Sequence, residues 1–356
     1  MAKKINICII GPDSIHTKRW ANWFLNSKYY NVTTLLYPTY KNPFQYVFAI
    51  KKILFNYLKI RKKQDITHIH YIGTFAYILT PFVKKNLVLS AWGSDVLISP
   101  KKYKVWNFLL KKCLKKSTKI LTDGQHIISM LLKYYGISDE KIFLSLYGTD
   151  VNKYSPKNKN KIDIKKKYPG YNNFIISLRN LEPVYGINTL VMAAEEVVKQ
   201  DSKTLFLIFG NGTLKEGLEN KTKQLNLERN ILFCGGYSQE YMQKILPNMD
   251  IYVSTALSDA GLAASTAEAM ASGVISIVTD FGDNKNWVKD GVTGYLFPLK
   301  GKKELSEKIK YFIDNKENLN NIRKNARKMI VNNLNYEKEM NKISSLYLEL
   351  YRANKK

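Results

Sequence analysis

The segment 258–273, reading Ser258-Asp-Ala-Gly-Leu-Ala-Ala-Ser-Thr-Ala-Glu-Ala-Met-Ala-Ser-Gly273, is the part of this chain best equipped for chemistry. A strand-like apolar run ends at 254, and a helical pattern opens at 265. Gly261, Leu262 and Ala263 leave room for a ligand to approach the backbone closely. Ser265 and Thr266 fall where the first N–H groups of the helix and its positive dipole end suit a phosphate. Glu268, read into the first turn, can accept hydrogen bonds from a ribose diol. A plainer reading makes Glu268 a complement to the dipole and Ser265 a cap. Arg179 ends another predicted strand, and its permanently charged fork suits a diphosphate leaving group or a surface ion pair. Gly210, Gly212, Gly235 and Gly236, followed by Tyr237, can turn the chain around a base and ribose, or are ordinary turn glycines. No Asp-x-Asp pair occurs, so no metal is expected. Charge on a departing diphosphate then falls to Arg179, the helix terminus at Ser265 and Thr266, and a lysine.

A second group lies in the first half of the chain. Gly11 follows a strand-like run and precedes a helix, where it lets a loop approach a diphosphate or an acceptor. Asp13 and His16 face the same mouth on this reading. Asp95, Asp123 and His126 follow predicted strands and are candidates to touch an acceptor. His68 and His70 stand two apart on one strand face, which allows a metal but favours a place in the core or lining a cleft.

These residues need a frame. Short apolar runs alternate with helix-length amphipathic segments, which implies βαβ units and parallel sheets. Strands are expected at 5–10, 32–36, 66–70, 87–91, 119–122 and 142–145, with helices at 15–26, 44–64, 103–116 and 126–135. A polar, lysine-rich stretch at 151–173 containing Pro156, Pro169 and Gly170 reads as a linker. The pattern then restarts. Strands are expected at 174–178, 204–209, 231–234, 251–254 and 275–279. Helices are expected at 186–199, 214–225, 239–246, 265–272, 303–314 and 319–331, with a terminal one from 336. The 356 residues suit two domains. Two such domains facing each other across a central cleft would present the carboxyl ends of their strands, where ligands bind.

At this point the motifs resemble those of family 4 glycosyltransferases, the group 1 glycosyl transferases of GT-B fold. Glu268-Ala-Met-Ala-Ser-Gly273 is similar to the close of that family's Glu-x7-Glu signature. Gly11 to Trp23 resembles its first glycine loop and helix, and Asp65 to His70 its second-strand stretch. Trp92-Gly-Ser-Asp95 resembles a later loop, and Gly148-Thr-Asp150 with Tyr154-Ser-Pro156 resembles the approach to its linker. Arg179 to Gly186 resembles the diphosphate motif, Gly210-Asn-Gly212 a Gly-Asp-Gly turn, and Gly291 to Gly294 a Gly-x-x-Gly turn. Three departures stand out. Ala260 occupies the place of the first Glu, with Asp259 beside it as the candidate substitute. Tyr185 precedes Gly186 where the family carries Lys, and Trp92 stands where a His is frequent.

The resemblance implies an α/β, GT-B architecture of two doubly wound, Rossmann-like domains. Residues 1–150, completed by a crossover helix at 336–356, would bind the acceptor. Residues 174–335 would bind the donor. It implies a retaining enzyme that moves a sugar from a nucleotide-diphosphate donor, UDP-linked by family habit, to a saccharide or lipid-linked acceptor in cell-envelope synthesis. Glu268, Arg179 and Asp259 are then catalytic candidates. Gly11, Gly210, Gly212, Gly236, Tyr237, Gly261, Leu262, Ala263, Ser265 and Thr266 are donor contacts, and Asp13, His16, Asp95 and His126 lie on the acceptor side. The nucleotide sugar is a substrate, and no cofactor is expected. A non-catalytic partner subunit and a nucleotide-sugar epimerase are the alternatives on the same fold.

The net charge of +27 asks for an anionic partner. Residues 1–150 hold 24 basic and 7 acidic side chains, so the excess concentrates there. Only seven of the 56 basic residues are Arg, as AT-rich coding would also give. The helices expected at 44–64 and 103–116 mix aromatic, aliphatic and lysine side chains. That suits an anionic membrane surface or an amphipathic face packed on a sheet. Nucleic-acid binding is excluded for want of a recognition motif. The three cysteines lack ligand spacing, which suits a reducing compartment. No run approaches the ~20 apolar residues of a membrane span, and residues 5–10 meet Gly11-Pro12 without a cleavage site. A cytoplasmic protein, peripheral on the membrane's cytoplasmic face, is expected.

Overall fold

A computed structural model describes residues 4–38, 43–98, 104–257 and 261–355. The chain divides into two compact units, Met1–Tyr147 with Glu337–Lys356, and Gly148–Tyr336.

The first unit is built on six parallel strands: β1 (Ile5–Pro12), β2 (Tyr30–Tyr37), β3 (Ile66–His70), β4 (Asn86–Ala91), β5 (Lys119–Thr122) and β6 (Ile142–Leu144). Their order is β2-β1-β3-β4-β5-β6. Every residue of β3 and β4 is buried, as expected for central strands covered by helices on both faces. The chain leaves β1 toward one edge and resumes at β3 toward the other. The carboxyl ends of β1 and β3 therefore form the switch point where such sheets bind ligands. The helix Ile15–Leu25 starts there because the Ser14 side chain caps the Thr17 N–H at 3.3 Å. The helix Tyr336–Ala353 packs on this unit. Trp23 donates to the Ser344 hydroxyl at 3.1 Å, Asn86 donates to the Leu350 carbonyl at 3.0 Å, and Tyr347 stacks on Phe24.

The second unit repeats the plan with β7 (Asn173–Leu178), β8 (Thr204–Phe209), β9 (Ile231–Gly235), β10 (Ile251–Ser254), β11 (Ile275–Thr279) and β12 (Tyr295–Phe297). Their order is β12-β11-β10-β7-β8-β9, which puts the switch point between β7 and β10. Ile175, Phe206, Ile251 and Ile275 from its strands close a core against the helices Ile187–Gln200 and Lys302–Asn315.

Several expectations shift. β12 has only three residues, too few to show a strand pattern. The helix Thr74–Leu79 was also not anticipated. Residues 151–173, read as a linker, fold into the second unit. Val151, Tyr154 and Ile164 are buried there, and Arg327 donates to the carbonyls of Val151 and Tyr154.

Candidate functional site

The switch point of the second sheet gathers the donor-side candidates. Arg179 directly follows β7, and its guanidinium lies 4.5 Å from the centre of the Tyr185 ring. That cation–π contact steadies the guanidinium. Tyr185 ends the short turn Pro183–Tyr185, which is stitched to the loop after β10. Thr255 Oγ1 donates to the Tyr185 carbonyl at 2.8 Å, and the Leu257 N–H donates to the Val184 carbonyl at 2.8 Å. Gly186 makes this possible. Its φ is +59°, and a Cβ there would sit 2.5 Å from the Thr255 carbonyl oxygen.

The helix Ala264–Ala271 opens from that same loop. Its N-cap is Ala263, which offers no side-chain hydrogen bond, so Ser265 is not the cap. Ser265 and Thr266 instead turn their hydroxyls onto Tyr252 in β10, at 2.8 and 3.3 Å. Any phosphate contact from these two residues is left to their backbone N–H groups, which precede the first helical bond from Ala267 to Ala263. Glu268 is the fifth residue of the helix and not in the first turn, which holds no acidic side chain. The dipole reading of Glu268 therefore weakens, because that effect fades beyond the end turn. Glu268 is 7% exposed. Burial and the nearby Glu268 carboxylate push the Tyr237 hydroxyl well above its ordinary pKa, while Arg179 pulls the other way. Glu268, Arg179 and Tyr237 thus share one electrostatic neighbourhood.

The glycines beneath them are demanded by packing. A Cβ on Gly210 (φ +135°) would lie 2.4 Å from the Arg179 carbonyl oxygen, and one on Gly212 would lie 2.3 Å from that of Leu181. The loop after β8 is thereby drawn against the residues after β7. Glu182 locks the pair by accepting from the Thr213 N–H and hydroxyl at 2.9 and 2.6 Å. Gly236 and Tyr237 follow β9, and Tyr237 stays 38% exposed with its ring edge-on to Phe209. Gly261 is buried, and Leu262 and Ala263 are half-buried. Ser258, Asp259 and Ala260 lie outside the described residues.

In the first unit the candidates separate. Gly11 is buried at the end of β1, and a Cβ there would meet His70 Cβ at 2.9 Å and Thr17 Cγ2 at 3.0 Å, so the packing around β1 requires a glycine at this position. Asp13 is exposed and paired with Lys18 at 2.6 Å. His16 is half-buried against Tyr147 and Trp92, and burial, then the Arg19 charge, lowers its pKa. His126 is half-buried near the start of the helix Gln125–Lys133. Asp95 is corrected as an acceptor contact, because it has no exposed surface. Its carboxylate accepts from the Ile72 N–H at 2.8 Å and the Trp92 N–H at 3.0 Å, which ties the loops after β3 and β4 together. Burial outweighs those bonds and pushes its pKa up to about 6.

His68 and His70 are fully buried and stacked 4.2 Å apart. His68 bonds Tyr347 through Nδ1 and the Ser90 hydroxyl through Nε2, so it is a core residue. Burial, reinforced by His16, lowers His70 to about 3, and His68 is also lowered by burial. A cavity of about 410 Å³ opens beside these residues at the carboxyl edge of the sheet, walled by Tyr37, Tyr71, Phe75, Trp92 and Trp106 among others. Sequence reasoning did not single out Tyr252, Thr255, Glu182 or Tyr71. Only Tyr252 left a signal, a lone hydroxyl in an apolar strand.

Comparison with known proteins agrees with this geometry. Residues 158–329 match the family of glycosyl transferases group 1, and residues 6–124 match the glycosyl transferase 4-like family. The chain is 26% identical over 337 residues, 90% of its length and 84% of the other, to a UDP-Gal:alpha-D-GlcNAc-diphosphoundecaprenol alpha-1,3-galactosyltransferase of Escherichia coli. It is 22% identical over 312 residues, 83% of its length and 77% of the other, to an N-acetyl-alpha-D-glucosaminyl L-malate synthase of Bacillus anthracis. A glycosyltransferase structure from Rickettsia africae superposes with a TM-score of 0.77 over 98% of this chain and 99% of the other, at 18% identity. The Anabaena protein HepE in complex with UDP superposes with a TM-score of 0.78 over 97% and 100%, at 14% identity. Both likenesses are of the GT-B fold.

Proposed function

The chain belongs to the group 1 glycosyl transferases, and we propose that it moves a sugar, with retention, from a UDP-sugar to a lipid-linked saccharide. The observation that carries this reading is the meeting of Arg179, the start of the helix Ala264–Ala271 and Glu268 at the β7–β10 switch point. Glu268 accepts from the ribose diol. Arg179 and the helix N–H groups hold the diphosphate and draw off its charge as the glycosidic bond breaks. The acceptor hydroxyl attacks the anomeric carbon on the face the diphosphate leaves. Its proton passes to a departing diphosphate oxygen, so no side-chain nucleophile takes part. Uracil as the base and a lipid-linked acceptor are supported by the Escherichia coli relative, whose name carries both. The protein works at the inner face of a membrane, consistent with the lysine excess of its first unit. Among the described residues no helix is long and apolar enough to cross one.

The test is a thermal-shift comparison of UDP, GDP and ADP, followed by UDP release during transfer. UDP should raise the melting temperature most. Glu268→Ala should weaken UDP-sugar binding about tenfold to a hundredfold, the ~1.5–3 kcal/mol of a hydrogen bond to a charged group. Unchanged UDP affinity in Glu268→Ala would sink the ribose assignment.

A further inference from the structure

The cavity in the first unit is a built site, and none of its lining residues carries a charge. Tyr71 stands on one side with φ at +68°, a strained conformation for a residue with a side chain. The strain is held by its surroundings. The Tyr71 N–H donates to the Ser90 carbonyl at 3.0 Å, and the next N–H, from Ile72, is taken by buried Asp95. The same carboxylate takes the N–H of Trp92, which forms another wall. One buried group therefore sets two aromatic rings around the space.

The outer walls are Tyr46, from the helix Pro43–Ile60, and Trp106, from the helix Lys104–Lys116. Both helices are apolar on two faces. The first buries Ala49, Ile53 and Tyr57, yet Phe44, Val47, Phe48 and Phe55 stay 51–77% exposed. These four recur at helical spacing and form an outward stripe. The second exposes Val105 and Phe108 beside Trp106. Lysines accompany both stripes, with Lys59 over the Phe55 ring and Lys112 over the Phe108 ring. An amphipathic helix merely packed on a sheet would show water only its polar side. Apolar stripes edged with lysine suit an anionic lipid surface.

We propose that this cavity takes the hydrocarbon chain of the lipid-linked acceptor, delivered from a bilayer in contact with the two helices. The inference deepens the reading above and rests on its acceptor class. A chain passing from lipid past Tyr46 and Trp106 to Tyr71 and Trp92 meets mainly aromatic surface, interrupted by tyrosine hydroxyls and the buried Trp92 indole N–H. The lysines on both helices meet the anionic head group and the neighbouring lipids.

Farnesyl phosphate, below its micellar concentration, is the probe, with inorganic phosphate and methyl glucoside as separate arms. Thermal shift and tryptophan fluorescence should show saturable binding of farnesyl phosphate alone. Thr74→Phe, which fills the cavity, and Trp106→Ala, which removes a wall, should each weaken it at least tenfold. Both variants should keep the wild-type calorimetric transition of the first unit, which shows that they are folded. Equal binding of farnesyl phosphate by wild type and both variants overturns the proposal. So does stabilisation by methyl glucoside or phosphate without farnesyl phosphate, or a dimer in light scattering that occupies the stripes and excludes the probe. Failure of UDP to shift the wild type would instead count against the donor site.

Discussion

Arg179 is useful because the Tyr185 ring, its centre 4.5 Å from the cation, steadies it. Arg179→Lys keeps the charge but loses both the guanidinium–ring contact and the two-pronged contact with a diphosphate. UDP affinity should fall by about 1–2 kcal/mol, with Tyr185→Leu losing less. The double variant should lose less than the sum, because the second change removes a support already idle. Strict additivity in calorimetric titrations would show that the ring plays no part. Tyr185 also shows where residue-scale reading stops. The sequence marked it only as a missing lysine, whereas the structure gives the ring a task. Asp95 shows the opposite fault. An aspartate just beyond a strand looks available to a ligand, and nothing local reveals that it turns inward to two N–H groups. Glu268 was legible through its neighbours, yet its place in the second turn depended on a helix start one residue earlier than periodicity suggested.

Among elements, the loops after β7, β8 and β10 act as one platform. Gly210 is its tightest joint, since a methyl group there meets the Arg179 carbonyl at 2.4 Å. Gly210→Ala should cost on the order of 3 kcal/mol and weaken UDP binding together with stability. Gly217→Ala is the control, because a Cβ at that position meets nothing. Urea midpoints for the two variants check this, and equal midpoints would refute the close-approach account. Most strands were legible because their apolar runs are continuous and bounded by glycine or polar residues. β12 was not, since three residues show no period. The linker reading failed because polar composition at 151–173 hid the anchors Val151, Tyr154 and Ile164, whose partner Arg327 lies far along the chain.

For the whole molecule, charge and histidine are unevenly shared. All four histidines lie in the first unit. His70 is lowered from 6.5 to about 3, so an unfolded chain binds a proton in that window that the folded one refuses. Stability is lost as pH falls, about 3 kcal/mol from His70 by pH 4.5, with His68 acting in the same direction. Asp95, raised to about 6, has the reverse sign and returns roughly 2 kcal/mol over the same range. Calorimetry at pH 7 and 4.5 should therefore show the transition of the first unit moving down relative to the second. UDP, which raises only the second, assigns the peaks. Asp95→Asn should steepen the drop. Parallel movement of both transitions would contradict this account.

The helix Tyr336–Ala353 carries a temporal consequence. Tyr347 supplies a partner to His68 and a face to Phe24, both within the first unit, yet it is synthesised after the whole of the second. On the ribosome the second unit can complete its core while the first still waits, with a buried histidine and a hydrophobic groove uncovered. A nascent chain stalled before residue 336 should recruit chaperones through its earlier half, and release of the last helix should end that recruitment.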